Sequence, residues 1–130
     1  MKIVINAIPR TKKNSMQPRM DRNGRFLGMM QSDAYRQYER ECMWLIPAKF
    51  RIGIDYPVNV KAIYYMPTKR KVDIVNLHSA LHDILVKCGV LKDDNCRIVV
   101  STDGSRVRHD KENPRTEIEI TPEGEKDNAR

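Results

Sequence analysis

The sequence predicts one α+β domain in which two main helices pack on a mixed β-sheet. Three observations predict it: strand-like alternation at both ends and in the middle of the chain, two stretches with helical spacing of apolar residues between them, and no internal repeat or linker. Read in order, the segments run βαβαββ. At 130 residues the chain can bury a real core without disulfide or metal staples.

Residues 2–8 alternate and are rich in β-branched side chains, which predicts a first strand ending at Pro9. Residues 9–25 are polar and basic and contain the turn dipeptide Asn23-Gly24, so they read as a long loop or an irregular hairpin. Ser32 or Asp33 caps a helix running to about Ile46, with Tyr35, Tyr38, Cys42 and Leu45 on one side and Pro47 as its stop. Pro57 through Met66 alternates as a strand, with Val58, Val60, Ala62 and Tyr64 on one face. A second helix is predicted from Asp73 to about Cys88, stopped by Gly89. Two further strands fall at about 96–102 and 115–121, joined by the turn-rich Asp103-Gly104-Ser105. The domain spans residues 1–121, and 122–130 reads as a frayed tail.

Charge narrows the function. The chain carries 24 Lys and Arg against 17 Asp and Glu, a formal net charge of +7, which suits a polyanionic partner. The cations concentrate in residues 10–25 and at Lys69-Arg70-Lys71, whereas acidic residues gather at 93–94 and in the tail. Two basic stretches flanking an acidic cluster suit a nuclease better than a purely basic binder. No apolar run approaches the roughly 18–20 residues that span a bilayer, and the opening residues read as a strand rather than a secretory leader. Cys42, Cys88 and Cys96 form no C-x-x-C pair, so a disulfide framework and a four-thiolate zinc site are set aside. These features predict a cytoplasmic protein with no membrane partner.

At about 100° per residue, Ile74, Leu77, Leu81, Ile84, Leu85 and Cys88 form the core stripe of the second helix. One flank carries Asp73, Asn76, Asp83 and Lys87. The other carries Val75, His78, Ser79, His82 and Val86. A carboxylate at the helix start and the Asp93-Asp94 pair after the following turn compose a candidate Mg²⁺ site, because Mg²⁺ takes hard oxygen ligands and keeps several waters. The same residues suit purely local roles, Asp73 as an N-cap and Asp93 and Asp94 as turn formers. His78 and His82 stand at i and i+4, but His-Ser-Ala-Leu-His lacks the glutamate of a zinc-protease helix. They read as a histidine pair within the fold or an interface.

The run from Met66 through Asp73-Ile74-Val75-Asn76-Leu77, followed by Asp83-Ile84-Leu85, Gly89 and Asp93-Asp94, resembles the RusA-type Holliday-junction resolvases of phages and prophages. Pro9 and Lys12-Lys13-Asn14-Ser15 resemble that family's opening. The resemblance implies an α+β homodimer that uses Mg²⁺ to cut four-way DNA junctions by paired, symmetric incisions. It assigns Asp73 and Asp94 as catalytic metal ligands and Asp93 as a catalytic neighbour; Asn76 on the Asp73 side of the helix and His82 on the Val75–Ser79 face, with Asp83, are candidate supporting residues by their placement. It assigns Lys69, Arg70 and Lys71, together with Lys12, Lys13 and Asn14, to DNA binding. Two positions depart from the family pattern: its second aspartate falls on Val75 and its helix lysine on Ser79. A weakened or inactive RusA-like DNA-binding protein is therefore the alternative expectation.

Overall fold

The computed structural model describes residues 1–12 and 16–123. In chain order the elements are β1 (Lys2–Ile5), β2 (Met16–Met20), β3 (Phe26–Gln31), α1 (Asp33–Leu45), β4 (Val58–Met66), α2 (Ile74–Lys87), β5 (Val99–Ser101), β6 (Arg106–His109) and β7 (Arg115–Pro122). β4 lies at the centre of a mixed sheet. β7 runs antiparallel beside it, from Val58 opposite Pro122 to Tyr65 opposite Arg115, and β1 pairs antiparallel with β7. Along its other side β4 pairs parallel with β5 near its start and with β6 near its end. β2 and β3 form a separate antiparallel ribbon. The α+β class with two helices and a mixed sheet is thus as the sequence predicts.

Alternation sets the layers. Val58, Val60, Ala62 and Tyr64 of β4 are buried, as are Thr116, Ile118 and Ile120 of β7 and Ile3 and Ile5 of β1. α1 adds Tyr35, Tyr38 and Cys42 to this core, and α2 adds Leu77, Ala80, Leu81, Ile84 and Leu85. Burial with period two leaves the opposite sheet face to water, so both helices cover one face. The expected stripe of α2 holds, except that Ile74 is only partly buried. Asp73 caps α2, and Gly89 follows it at φ +80° in the left-handed region that favours glycine. Cys42 and Cys88 are buried and Cys96 is exposed, all three as free thiols. Among the described residues no helix is long and apolar enough to cross a membrane.

The departures have local causes. β1 stops at Ile5 because the Ala7 N–H donates back to the Ile5 carbonyl at 3.0 Å and turns the chain. The polar segment after it does form a hairpin, and its second strand runs on through 26–31, where no element is evident in the sequence. Its turn is held by Asp21 Oδ1, which accepts from the Asn23 and Arg25 N–H groups at 2.8 Å each. Leu45 is 40% exposed rather than buried, because α1 ends there and Ile46 turns extended into the core. β6 is also unanticipated, since Arg106-Val107-Arg108-His109 contains one apolar residue and gives no alternation signal. Between β5 and β6 the buried side chain of Asn59 spans the break. Its Oδ1 accepts from Ser101 Oγ at 2.6 Å and from the Asp103 N–H at 2.7 Å, and its Nδ2 donates to the Asp103 carbonyl at 3.1 Å. At the end of the chain β7 continues through Pro122, and the Glu123 N–H donates to the Pro57 carbonyl at 2.9 Å. Pairing therefore extends past the expected start of the tail, and residues 124–130 lie outside the described residues.

Candidate active site and nucleic-acid interface

β4 ends before Pro67, and residues 67–72 lead to the start of α2. There Asp73 Oδ1 accepts the Val75 N–H at 2.8 Å, satisfying one of the orphan donors of a first helical turn. Its Oδ2 has no partner among the described residues. Asp73 is exposed and lines an open groove of about 970 Å³. Arg10 and Thr11 come to this groove from the segment after β1, Arg70 and Lys71 from the loop after β4, and Asn76 from the first turn of α2. One carboxylate and three cations therefore share a groove that can take a phosphodiester backbone. Arg10 is part of a basic stretch in the sequence, but only the fold places it opposite Asp73.

Asp93 and Asp94 do not come to Asp73 within the chain. They follow the far end of α2, where the Val90 and Leu91 N–H groups bond back to the Leu85 carbonyl at 2.9 and 3.2 Å. The next segment pairs with the start of β4, the Val58 N–H donating to the Ile98 carbonyl at 2.7 Å. The 14-residue α2, about 21 Å long at 1.5 Å per residue, thus stands between the start of the helix at Asp73 and the loop that carries Asp93 and Asp94. Asp93 uses both oxygens inside its own loop, accepting from the Asp94 N–H at 2.7 Å and from Asn95 Nδ2 at 3.1 Å. Asp94 keeps an exposed carboxylate. Among the described residues no group of three or more His, Cys, Asp and Glu side chains could hold a metal ion.

The candidate supporting residues divide. Asn76 lies in the groove. Asp83 sits 3.4 Å from Lys87 Nζ and 3.5 Å from Lys12 Nζ, and Lys87 also bonds Glu39 of α1 at 2.9 Å. Asp83 therefore helps tie the two helices together. His82 stacks on His78 with ring centroids 5.5 Å apart and planes 6° from parallel, and His78 Nδ1 lies 2.7 Å from Tyr64 Oη. Burial, with His78 as a neighbour, pushes His82 down to about 4, so it is neutral at neutral pH. It is nine residues along α2 from Asp73, outside the groove lining.

The proposed DNA contacts also divide. Lys69, Arg70 and Lys71 are all exposed. Arg70 and Lys71 face the groove, whereas Lys69 and Arg70 line an adjoining recess of about 350 Å³ with Arg108 and His109 of β6. The β6 residues were missed, although the spacing Arg106-x-Arg108-His109 is a visible cationic signal. Lys12 lines a third recess with Met16, Gln31, Asn76 and Ser79. Lys13 and Asn14 lie outside the described residues.

The fold and the groove together define a two-layer α+β domain in which one exposed carboxylate stands among three cations. The family model described as Endodeoxyribonuclease RusA matches residues 9–121, and the chain belongs to that family. It is also 35% identical over 66 residues to the "Crossover junction endodeoxyribonuclease RusA" of Aquifex aeolicus (strain VF5), a match covering 50% of this chain and 52% of that protein. The chain thus spans about half the length of this curated relative.

Proposed function

We propose that this chain is a Mg²⁺-dependent, structure-specific endodeoxyribonuclease that resolves four-way junctions by paired symmetric incisions, acting as a homodimer on DNA in the cytoplasm. The observation that carries this reading is the groove in which the exposed Asp73 meets Arg10, Arg70 and Lys71. Family membership and the name of the Aquifex relative support it.

The cations hold backbone phosphates and so position the junction without reading its sequence. Asp73 Oδ2, free of the capping bond, offers a hard oxygen donor beside Asn76, and this set fits Mg²⁺, which needs only one or two protein carboxylates when water and phosphate complete its shell. When bound, the ion supplies charge neutralisation at the scissile phosphate and lowers the pKa of a water. Hydrolysis forms one P–O bond to the water oxygen and breaks one ester P–O bond, and the groove's cations balance charge on the phosphate oxygens as that exchange proceeds.

Asp94 can join Asp73 only from a second copy of the chain, because α2 holds the two apart within one. A two-fold dimer in which each groove receives the other protomer's Asp94 builds two equivalent sites, one for each opposed strand. Mixing Asp73→Asn and Asp94→Asn proteins tests this on a synthetic four-way junction with Mg²⁺, read on a denaturing gel. Each variant alone should be inactive, and the mixed dimer should regain one intact site and nick one strand. A mixture as inactive as its components, with exchange verified by sedimentation of differently tagged chains, refutes the shared site.

The weakened DNA-binding reading has its own observation. Val75, 68% exposed beside Asp73, gives that side of α2 no second carboxylate, and Ser79 one turn later gives it no cation. A wild-type protein that shifts the junction on a native gel yet never cuts it, with Mg²⁺ present, selects that reading.

A further inference from the structure

The β2–β3 ribbon is unused by the site described above, and its exposed face is apolar. Pro18 pairs with Met29 and Met20 with Phe26, which places all four side chains on one face. Met20, Phe26 and Met29 are 52%, 56% and 55% exposed, in a chain whose other large apolar side chains mostly reach the core. A two-stranded ribbon is marginal by itself in water, so a bare apolar face on one calls for an occupant.

Charge indicates which. The Met20–Phe26 pair is the last rung before the turn, and Arg19, Arg22 and Arg25 flank it along the chain, all exposed. None of the three guanidinium groups makes an ion pair among the described residues. The turn is nonetheless well held, by the two bonds to Asp21 Oδ1 and by Gly24 at φ +78°. A register shift at Arg19 and Met20 adds local twist just below the tip. An apolar rung with three exposed cations next to it in the chain, on a braced tip, complements DNA whose bases are open to stacking contact and whose phosphates lie alongside. It does not complement a second apolar protein surface, where the three charges would lose water without gaining partners.

We propose that the β2–β3 hairpin is a DNA-inserting arm, in which Met20 and Phe26 wedge against bases at the branch point while Arg19, Arg22 and Arg25 hold the flanking phosphates. This rests on the branched-DNA reading above. Apolar wedges of Phe, Met and Pro act this way on duplex DNA at an unstacking cost of a few kcal/mol per step, and a branch point presents bases whose stacking is already interrupted.

The test places 2-aminopurine at the branch of a synthetic four-way junction and follows its fluorescence alongside a native-gel shift, in Ca²⁺ in place of Mg²⁺ to prevent cutting. Wild-type protein should raise the fluorescence on binding. Met20→Ser with Phe26→Ser should abolish the rise while leaving the salt dependence of binding unchanged. Arg22→Ala with Arg25→Ala should lower the slope of log K against log salt by about 2, at roughly 0.9 per phosphate contact. Wild-type protein that shifts the junction without any fluorescence change overturns the arm and leaves the branched-DNA reading standing. Wild-type protein that shifts no DNA overturns both. A Met20→Ser, Phe26→Ser protein that loses its dimer by sedimentation and keeps the fluorescence rise shows the face to be an interface between copies, which also overturns the proposal.

Discussion

The proposed function gives the Asp73 carboxylate a second job beside its capping bond, and two substitutions separate the two. Asp73→Ala removes both the cap and the charge, whereas Asp73→Ser keeps a side-chain oxygen able to accept the Val75 N–H. An N-cap is worth about 1 kcal/mol, and a negative charge at a helix N-terminus roughly 0.3–1 kcal/mol more. Asp73→Ala should therefore cost about 1–2 kcal/mol and Asp73→Ser well under 1 kcal/mol. In a domain of this size the difference corresponds to roughly 3–5 °C in Tm, measurable by thermal denaturation without metal. Both substitutions should abolish junction cleavage. A second readout needs no catalysis: at tenfold its Kd, Mg²⁺ should stabilise the wild-type fold by about 1.4 kcal/mol through mass action, and the serine variant should not respond. An Asp73→Ser protein that cuts at the wild-type rate would reduce Asp73 to a cap and refute its place in the site.

Replacing Lys69, Arg70 and Lys71 together by Ala should weaken binding to any DNA and lower the salt slope by about 2–3, measured by fluorescence anisotropy over a salt series. An unchanged slope would make the loop merely solvated. Val75→Asp should leave the fold within about 0.5 kcal/mol, because the side chain is largely exposed; should Val75 pack between copies in the proposed homodimer, the added charge loosens that dimer, as read by sedimentation. A variant that stays dimeric and cuts faster would instead mark position 75 as a vacant ligand position. For His82 the sign runs one way: between pH 6.5 and about 4 the unfolded chain takes up a proton that the buried imidazole does not. Its contribution to stability is thus complete above pH 6.5 and falls as pH falls through that window, by on the order of 3 kcal/mol at pH 4. His82→Phe should flatten this part of the urea-derived stability profile, and an unflattened profile would place the effect elsewhere.

Much of the fold was legible because burial leaves periodic traces. The stripe of α2 and the alternation of β4 both follow from one-sided packing, and Asp73 and Gly89 mark the ends of α2 by well-understood capping chemistry. β3 and β6 were illegible for the complementary reason. β3 buries almost nothing, and β6 is an edge of exposed cations, so neither had to alternate. The candidate site was legible in its residue types but not in its geometry. Lys69-Arg70-Lys71 and Asp73 are contiguous and so arrive together, whereas the distance between Asp73 and Asp94 depends on helix length and direction. Spacing in sequence carries the first kind of information and not the second. Arg10 and Arg108 reach the site only through the sheet order, which no local pattern encodes.

The break between β5 and β6 bears on how the protein behaves at high concentration. A long, flat strand at that edge of β4 would present an unbroken row of N–H and C=O groups, a template for joining another chain. Instead the edge is three residues, a turn plugged by Asn59, and four residues, two of them arginines. Interruption and charge are both devices that keep sheets from extending into fibrils. Asn59→Val, which removes the plug while retaining bulk and strand preference, would shift the protein toward aggregation without touching the groove. Asn59 thus breaks an edge that, unbroken, would offer a template to another chain.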